Sequence, residues 1–133
     1  MNEAERHVFV YGTLRRGEAN DIHRLLPPPR FVGQAAIVGV MYDLGAYPGV
    51  LLGPGGTVTG EVYAIEPALE RKLDEIEEIY PQQRDEYFKR EVRVTVGGQQ
   101  LDCLVYEINA AYVKGRPVIA SGDWVQERAS AKP

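Results

Sequence analysis

The sequence is short of several things, and each shortage removes a class of function. It has one cysteine, Cys103, among 133 residues, so no internal disulfide can form and one thiol builds no metal site alone. Its two histidines, His7 and His23, show no metal-ligand spacing, and no Ser-His-Asp arrangement is recognisable. Basic residues are the minority, 15 against 19 acids for a net charge of -4. That balance argues against a nucleic-acid partner, because phosphate contacts need a basic surface. The longest apolar stretch, residues 35–42, is interrupted by Gly39 and falls far short of a membrane span. The charged opening at residues 1–6 is followed by no long apolar run. This is not a secretory pattern, and it predicts a cytoplasmic protein in a reducing compartment.

What is present suits one domain. Hydrophobic residues make up 44% and charged residues 26%, the usual mixture for a soluble protein. A chain of this length buries roughly two-thirds of its unfolded surface, enough for one core. A single domain over 1–133 is expected, with a core at about 7–125 and a polar, frayed tail at 126–133.

Residues 7–11 form a short, nearly continuous apolar run that stops at Gly12-Thr13 and reads as a buried strand. A polar loop at 15–20 and a short helix at 21–26 follow, ended by Pro27-Pro28-Pro29. Residues 31–44 read as a strand with Gly33 and Gly39 inside it, which suggests tight curvature of the kind found in a small closed barrel. Tyr47-Pro48-Gly49 and Gly53-Pro54-Gly55-Gly56 are turn signals separating a short strand at 50–52 from a longer one at 57–65. After Pro67, Leu69, Leu73, Ile76 and Tyr80 recur at helical spacing until Pro81. Strands at 88–96 and 101–108 flank Gly97-Gly98, a hairpin signal. The order predicts an α+β fold: a curved mixed β-barrel with flanking helices.

The strand–glycine turn at Tyr11, Gly12, Thr13 and Leu14 draws attention because consecutive backbone N–H groups in such a turn can cradle an anion or a developing oxyanion. An ordinary strand-to-loop turn is the simpler reading of the segment by itself. A phosphate loop is excluded: Gly12 and Gly17 have the right spacing, but Glu18-Ala19 stands where Lys and Ser/Thr are needed.

The segment from Tyr11 through Gly17 (Tyr-Gly-Thr-Leu-Arg-Arg-Gly), followed by Asn20, resembles the opening motif of the γ-glutamylcyclotransferase-like (AIG2-like) proteins. In form it is most similar to γ-glutamylamine cyclotransferases and small bacterial relatives. Further matches follow in order: Tyr42-Asp43-Leu44-Gly45 with Tyr47-Pro48-Gly49, residues 58–63, Leu73-Asp74-Glu75-Ile76-Glu77, residues 87–92, and Ser121-Gly122-Asp123-Trp124. The resemblance implies a small mixed β-barrel and a reaction on a small γ-glutamyl substrate. In it the substrate's α-amine attacks the γ-carbonyl and releases 5-oxoproline and an amine or amino acid. No cofactor or metal is implied, because the nucleophile is carried by the substrate.

The resemblance also implies that Glu77 is the catalytic base and acid, and that the backbone around Tyr11, Gly12, Thr13 and Leu14 binds the glutamyl group. The helical wheel is a weaker guide. Glu77 lies roughly 70° from the centre of the apolar stripe and Glu70 roughly 90°, with Asp74, Glu75 and Glu78 turned further toward water. An edge carboxylate of this kind can be partly desolvated, although a fully solvated acidic face has the same pattern. Many relatives carry glycine after this glutamate, where Glu78 stands here, and the stretch at 79–86 is longer than in the shortest members. Strand parity places Arg90 with Val92 and Val94, so it needs an anionic partner, either a substrate α-carboxylate or a protein acid. Tyr106, on the opposite parity from Cys103 and Val105, is a candidate cavity or packing residue, as are Tyr63 and Tyr87. Arg15-Arg16 reads as a solvated pair, with a pocket-mouth role as the alternative. Cys103 reads as a core residue, and Trp124 as packing on the barrel. The expected assembly is a monomer or weak homodimer without membrane or nucleic-acid partners. The rival function is a non-catalytic binding module for a small acidic metabolite on the same fold.

Overall fold

The computed structural model describes residues 6–18, 21–76 and 86–131. Strand β1 (Arg6–Val10) is the middle of a five-stranded sheet, with order β2-β3-β1-β5-β4. Strands β2 (Arg30–Asp43) and β3 (Pro48–Ile65) form a long antiparallel pair, and β3 pairs antiparallel with β1. Strand β5 (Gln99–Ile108) runs parallel to β1, with Val8 opposite Leu104, and antiparallel to β4 (Tyr87–Val96).

Both faces of β1 are buried, as its unbroken apolar run predicts. Val8 and Val10 enter one cluster with Leu69, Leu73, Tyr106 and Ile108, covered by helix α1 (Pro67–Ile76). Phe9 and Tyr11 enter the other, where all five strands meet inside the curl of the sheet and Trp124 closes the packing. The curl has no complete barrel wall, so the expected closed barrel is corrected to an open, strongly curved sheet. The edge strands β2 and β4 approach through side chains instead of a hydrogen-bonded ladder. At Gly33 an added β-carbon would lie 2.6 Å from Val96 Cγ1, so the missing side chain lets the edges nest without pairing.

Three further expectations change. The 53–56 glycine segment does not turn the chain: Val38 faces Thr57 and Gly39 faces Leu52, so these four residues bulge out of a continuous β3. The short helix narrows to a 3₁₀ turn over Ile22–Arg24. Residues 126–131 of the expected tail belong to helix α2 (Trp124–Ala131), which buried Trp124 anchors and at whose start Asp123 accepts hydrogen bonds from the backbone N–H groups of Gln126 and Glu127, while residues 132–133 lie outside the described residues. The Gly97-Gly98 hairpin is as expected, with Val96 facing Gln99 and both glycines at positive φ, 55° and 82°, the geometry of a tight two-residue turn. Among the described residues no helix is long and apolar enough to cross a membrane.

Candidate active site

The centre of the sheet delivers the first turn to a cavity. Strand β1 ends at Val10, and residues Tyr11, Gly12, Thr13 and Leu14 line a cavity of about 320 Å³. The turn is held at both ends of its short path. Arg15 N–H donates to the Gly12 carbonyl at 3.0 Å, and Ile22 N–H donates to the Leu14 carbonyl at 2.9 Å. The remaining wall comes from Phe9 and Val10 of β1, from Ala46, Tyr47 and Pro48 of the β2–β3 corner, from Ile76 at the end of α1, and from Glu86, Tyr87 and Tyr106.

Tyr106 is brought to the site, and it connects three elements. Its carbonyl accepts the Tyr11 hydroxyl at 2.6 Å, and its own hydroxyl donates to Asp74 Oδ1 at 2.7 Å. Asp74 also accepts from Lys89 Nζ at 3.0 Å, and Lys89 reaches Glu70 as well. Burial works against the Lys89 charge, but hydrogen bonds to Glu70 and Asp74 outweigh it and hold the ammonium above its ordinary pKa. Asp74 is therefore not directed to water, as the wheel suggested. Helix α1 lies against β4 and β5, which present Lys89 and Tyr106 to its acidic side, and a wheel contains no information about that neighbour.

Glu77 lies outside the described residues; it directly follows Ile76, which lines the cavity. Arg90 is not brought to the cavity. Its Nε donates to Glu107 Oε1 at 2.9 Å, its guanidinium lies 5.3 Å from the Phe88 ring centroid, and half of the side chain is exposed. Arg90 does share a strand face with Val92 and Val94, but this end of the face is open to solvent, and Glu107 on β5 supplies the anion.

Arg15 is a second difference. Far from being solvated, it is 6% exposed, donating to Glu61 at 3.1 Å and Asp123 at 2.8 Å. Glu61 also accepts the Arg16 backbone N–H and the Tyr63 hydroxyl. Burial, and then the hydrogen bond to Glu61, push the Tyr63 phenol far above its ordinary range, and the ring packs edge-on against His23 and Phe31. Tyr63 is thus structural, whereas Tyr87 lines the cavity and donates to the Pro48 carbonyl at 3.1 Å. Cys103 is buried in the second cluster.

Glu86 lines the cavity too, and the sequence reading above does not single it out. Its carboxylate accepts the Tyr47 hydroxyl, and its carbonyl accepts Asn109 N–H at 2.7 Å, which extends the β4–β5 pairing by one residue.

Residues 8–126 match the family described as gamma-glutamyl cyclotransferase, AIG2-like. The chain is 33% identical over 119 residues to the gamma-glutamylcyclotransferase family protein YtfP of Escherichia coli (strain K12), covering 89% of this chain and 95% of that one. It is 35% identical over 113 residues to the gamma-glutamylaminecyclotransferase of Bos taurus, covering 74% of this chain and 63% of the bovine protein. The crystal structure of an AIG2-like protein from Mus musculus shares the fold at a TM-score of 0.70 and 29% identity, covering 85% of this chain and 84% of that one. The chain therefore belongs to the γ-glutamyl cyclotransferase, AIG2-like family.

Proposed function

We propose that this protein is a γ-glutamyl cyclotransferase of the γ-glutamylamine type, releasing 5-oxoproline and a free amine. The substrate's α-nitrogen forms a bond to the γ-carbonyl carbon, and the amide bond from that carbon to the departing nitrogen breaks. Glu77 takes a proton from the α-nitrogen and returns it to the departing nitrogen. The backbone N–H groups of the turn formed by Tyr11, Gly12, Thr13 and Leu14 hold the glutamyl end and face the oxyanion. Tyr106 forms part of the wall, and Arg90, committed to Glu107, has no part in binding. Holding the substrate in the cavity supplies proximity, which in an intramolecular attack is a large share of the acceleration.

The observation that carries this reading is the meeting of that turn with the end of α1 at one cavity, one residue before Glu77. The family membership supports it, and the bovine relative is named for the amine reaction. The test is mass-spectrometric detection of 5-oxoproline from a panel of γ-glutamyl amines and amino acids, with Glu77→Gln alongside. The variant keeps the shape and removes the proton acceptor, so its rate should fall by about 10²-fold or more. An undiminished rate removes Glu77 from the mechanism. Binding without turnover by the wild type points to the metabolite-binding module instead.

A further inference from the structure

A buried charge cluster adjoins the glycine turn, and the chemistry proposed above makes no use of it. Arg15, which follows the turn, is 6% exposed. Its Nε donates to Glu61 Oε2 at 3.1 Å and its Nη1 to Asp123 Oδ1 at 2.8 Å. The other Glu61 oxygen accepts the Arg16 backbone N–H at 3.1 Å and the Tyr63 hydroxyl at 2.8 Å. Arg15 is not among the described residues lining the cavity, so it acts on a bound substrate through the residues that are.

Stability is a weak reason for such a cluster, because apolar residues of similar volume often replace a buried ion pair at no cost. Position is a stronger one. The guanidinium is a rigid planar fork, and two carboxylates on different nitrogens fix where it lies. Both carboxylates trace to β3. Glu61 is on that strand opposite Val10, the last residue of β1 and the root of the turn. Asp123 follows Gly122, whose carbonyl accepts the Thr59 N–H of β3 at 2.8 Å. The chain therefore leaves β1 at Val10, makes the turn, and is tied at Arg15 and Arg16 to the neighbouring strand. With root and exit both fixed, the turn cannot rock as a unit. Donors to an oxyanion must lie within about 2.7–3.1 Å of it, and misplacement by about 1 Å costs about a hundredfold in rate.

We infer that Arg15, clamped between Glu61 and Asp123, is a positioning residue for the reaction. It holds the backbone N–H groups of Tyr11, Gly12, Thr13 and Leu14 where the γ-carbonyl oxygen gains its charge. This rests on the cyclotransferase reading above. The oxyanion exists only on the way to product, whereas ground-state binding is shared with the rest of the wall, so the clamp acts on kcat more than on KM.

The test uses the double variant Arg15→Met/Glu61→Gln, shown folded by circular dichroism. It removes both members of the buried pair, leaving neither charge without its partner, and the Gln side-chain oxygen still accepts from Arg16 and Tyr63. With the γ-glutamyl compounds that the wild type cyclises, kcat should fall by about tenfold or more and KM should change far less. Asp123→Ser keeps an N-cap acceptor for α2 and removes one arm of the clamp. It should lose kcat in the same direction, and it carries the test if the double variant does not fold. Amide hydrogen exchange reads the turn without substrate. The amides of positions 15 and 22, which close the turn on the Gly12 and Leu14 carbonyls, should exchange about tenfold or more faster in either variant, with protection in β4 and β5 unchanged. A wild-type kcat in a folded variant overturns the proposal, as does a rise in KM alone. A fall in kcat with unchanged exchange at positions 15 and 22 overturns it too, because the charge then acts directly and not through the turn. If the wild type cyclises nothing, the reaction falls and exchange alone decides: faster exchange at the two amides sustains the clamp, and unchanged exchange overturns it.

Discussion

Pro48 stands against Gly12: a β-carbon at Gly12 would lie 2.7 Å from Pro48 Cγ and 2.8 Å from Cδ. Both residues line the cavity, so the glycine turn and the β2–β3 corner touch with no room for a side chain between them. The Pro48 ring is fixed to the start of β3 and cannot swing aside as a long side chain could.

Gly12→Ala should therefore displace the turn while leaving the sheet intact. The expected result is a loss of about ten- to a hundredfold in 5-oxoproline formation, as misplacement of a positioned group produces, with a destabilisation of about 1–3 kcal/mol from overpacking. Activity assays and urea denaturation read the two effects separately. A wild-type rate in the alanine variant would mean that the contact has slack and does not locate the turn.

The Arg15–Glu61 pair and the Arg93–Asp102 pair make a direct contrast in burial. The first pair's side chains are 7% and 9% exposed and the second pair's 65% and 56%. Arg15→Met leaves Glu61 buried without its guanidinium and should cost about 3–5 kcal/mol. Arg93→Met should change stability by less than about 1 kcal/mol. Urea midpoints for the two variants test this, and comparable losses in both would contradict the burial argument.

Asp21 predicts a share of the acid sensitivity. Burial works to raise its pKa, but hydrogen bonds from the backbone N–H groups of Gly17 and His23, together with the His23 ring, bring it from 3.8 down to about 2. A carboxylate depressed in the folded state contributes stability above its unfolded pKa, and that contribution is lost as pH falls through the folded value. The window is therefore about pH 4 down to pH 2. Asp21→Asn should show a shallower loss of stability across this window than the wild type, measured by denaturation at each pH. Parallel curves would show that the Asp21 contacts are not formed in solution.

Cys103 should be silent toward thiol reagents in the native state. Burial, with a smaller contribution from Asp102, pushes its thiol up to about 11, and the thiolate is the reactive form. Ellman's reagent at pH 8 should react with Cys103 only on unfolding, and Cys103→Ala should retain turnover. Rapid modification of the folded protein would disprove this placement.

Much of the fold was legible because its signals are local. The unbroken apolar run at β1 requires burial on both sides, the Leu69–Leu73 spacing requires one covered helix face, and Gly97-Gly98 requires a tight hairpin. The turn at Tyr11, Gly12, Thr13 and Leu14, which lines the cavity, also came from chain order, through an ordered set of motifs matching one family. The same motifs single out Glu77, which lies outside the described residues and directly follows Ile76 of the cavity wall.

The remainder depended on which elements became neighbours. Arg15 and Arg16 are adjacent and chemically alike, yet only Arg15 is buried, because Glu61 on β3 and Asp123 before α2 converge on it from distant parts of the chain. Arg90 sits on the expected strand face, but Glu107 across the hairpin takes its charge before any substrate could. Asp74 turns from a solvent-facing wheel position into a partner of Lys89 and Tyr106, and Glu86 turns from a loop acid into a cavity carboxylate. Backbone preference and hydrophobic period act over a few residues, so the sequence by itself determined the elements and their buried faces. The environment of a charge depends on what approaches it from far along the chain, and only the tertiary structure decided that.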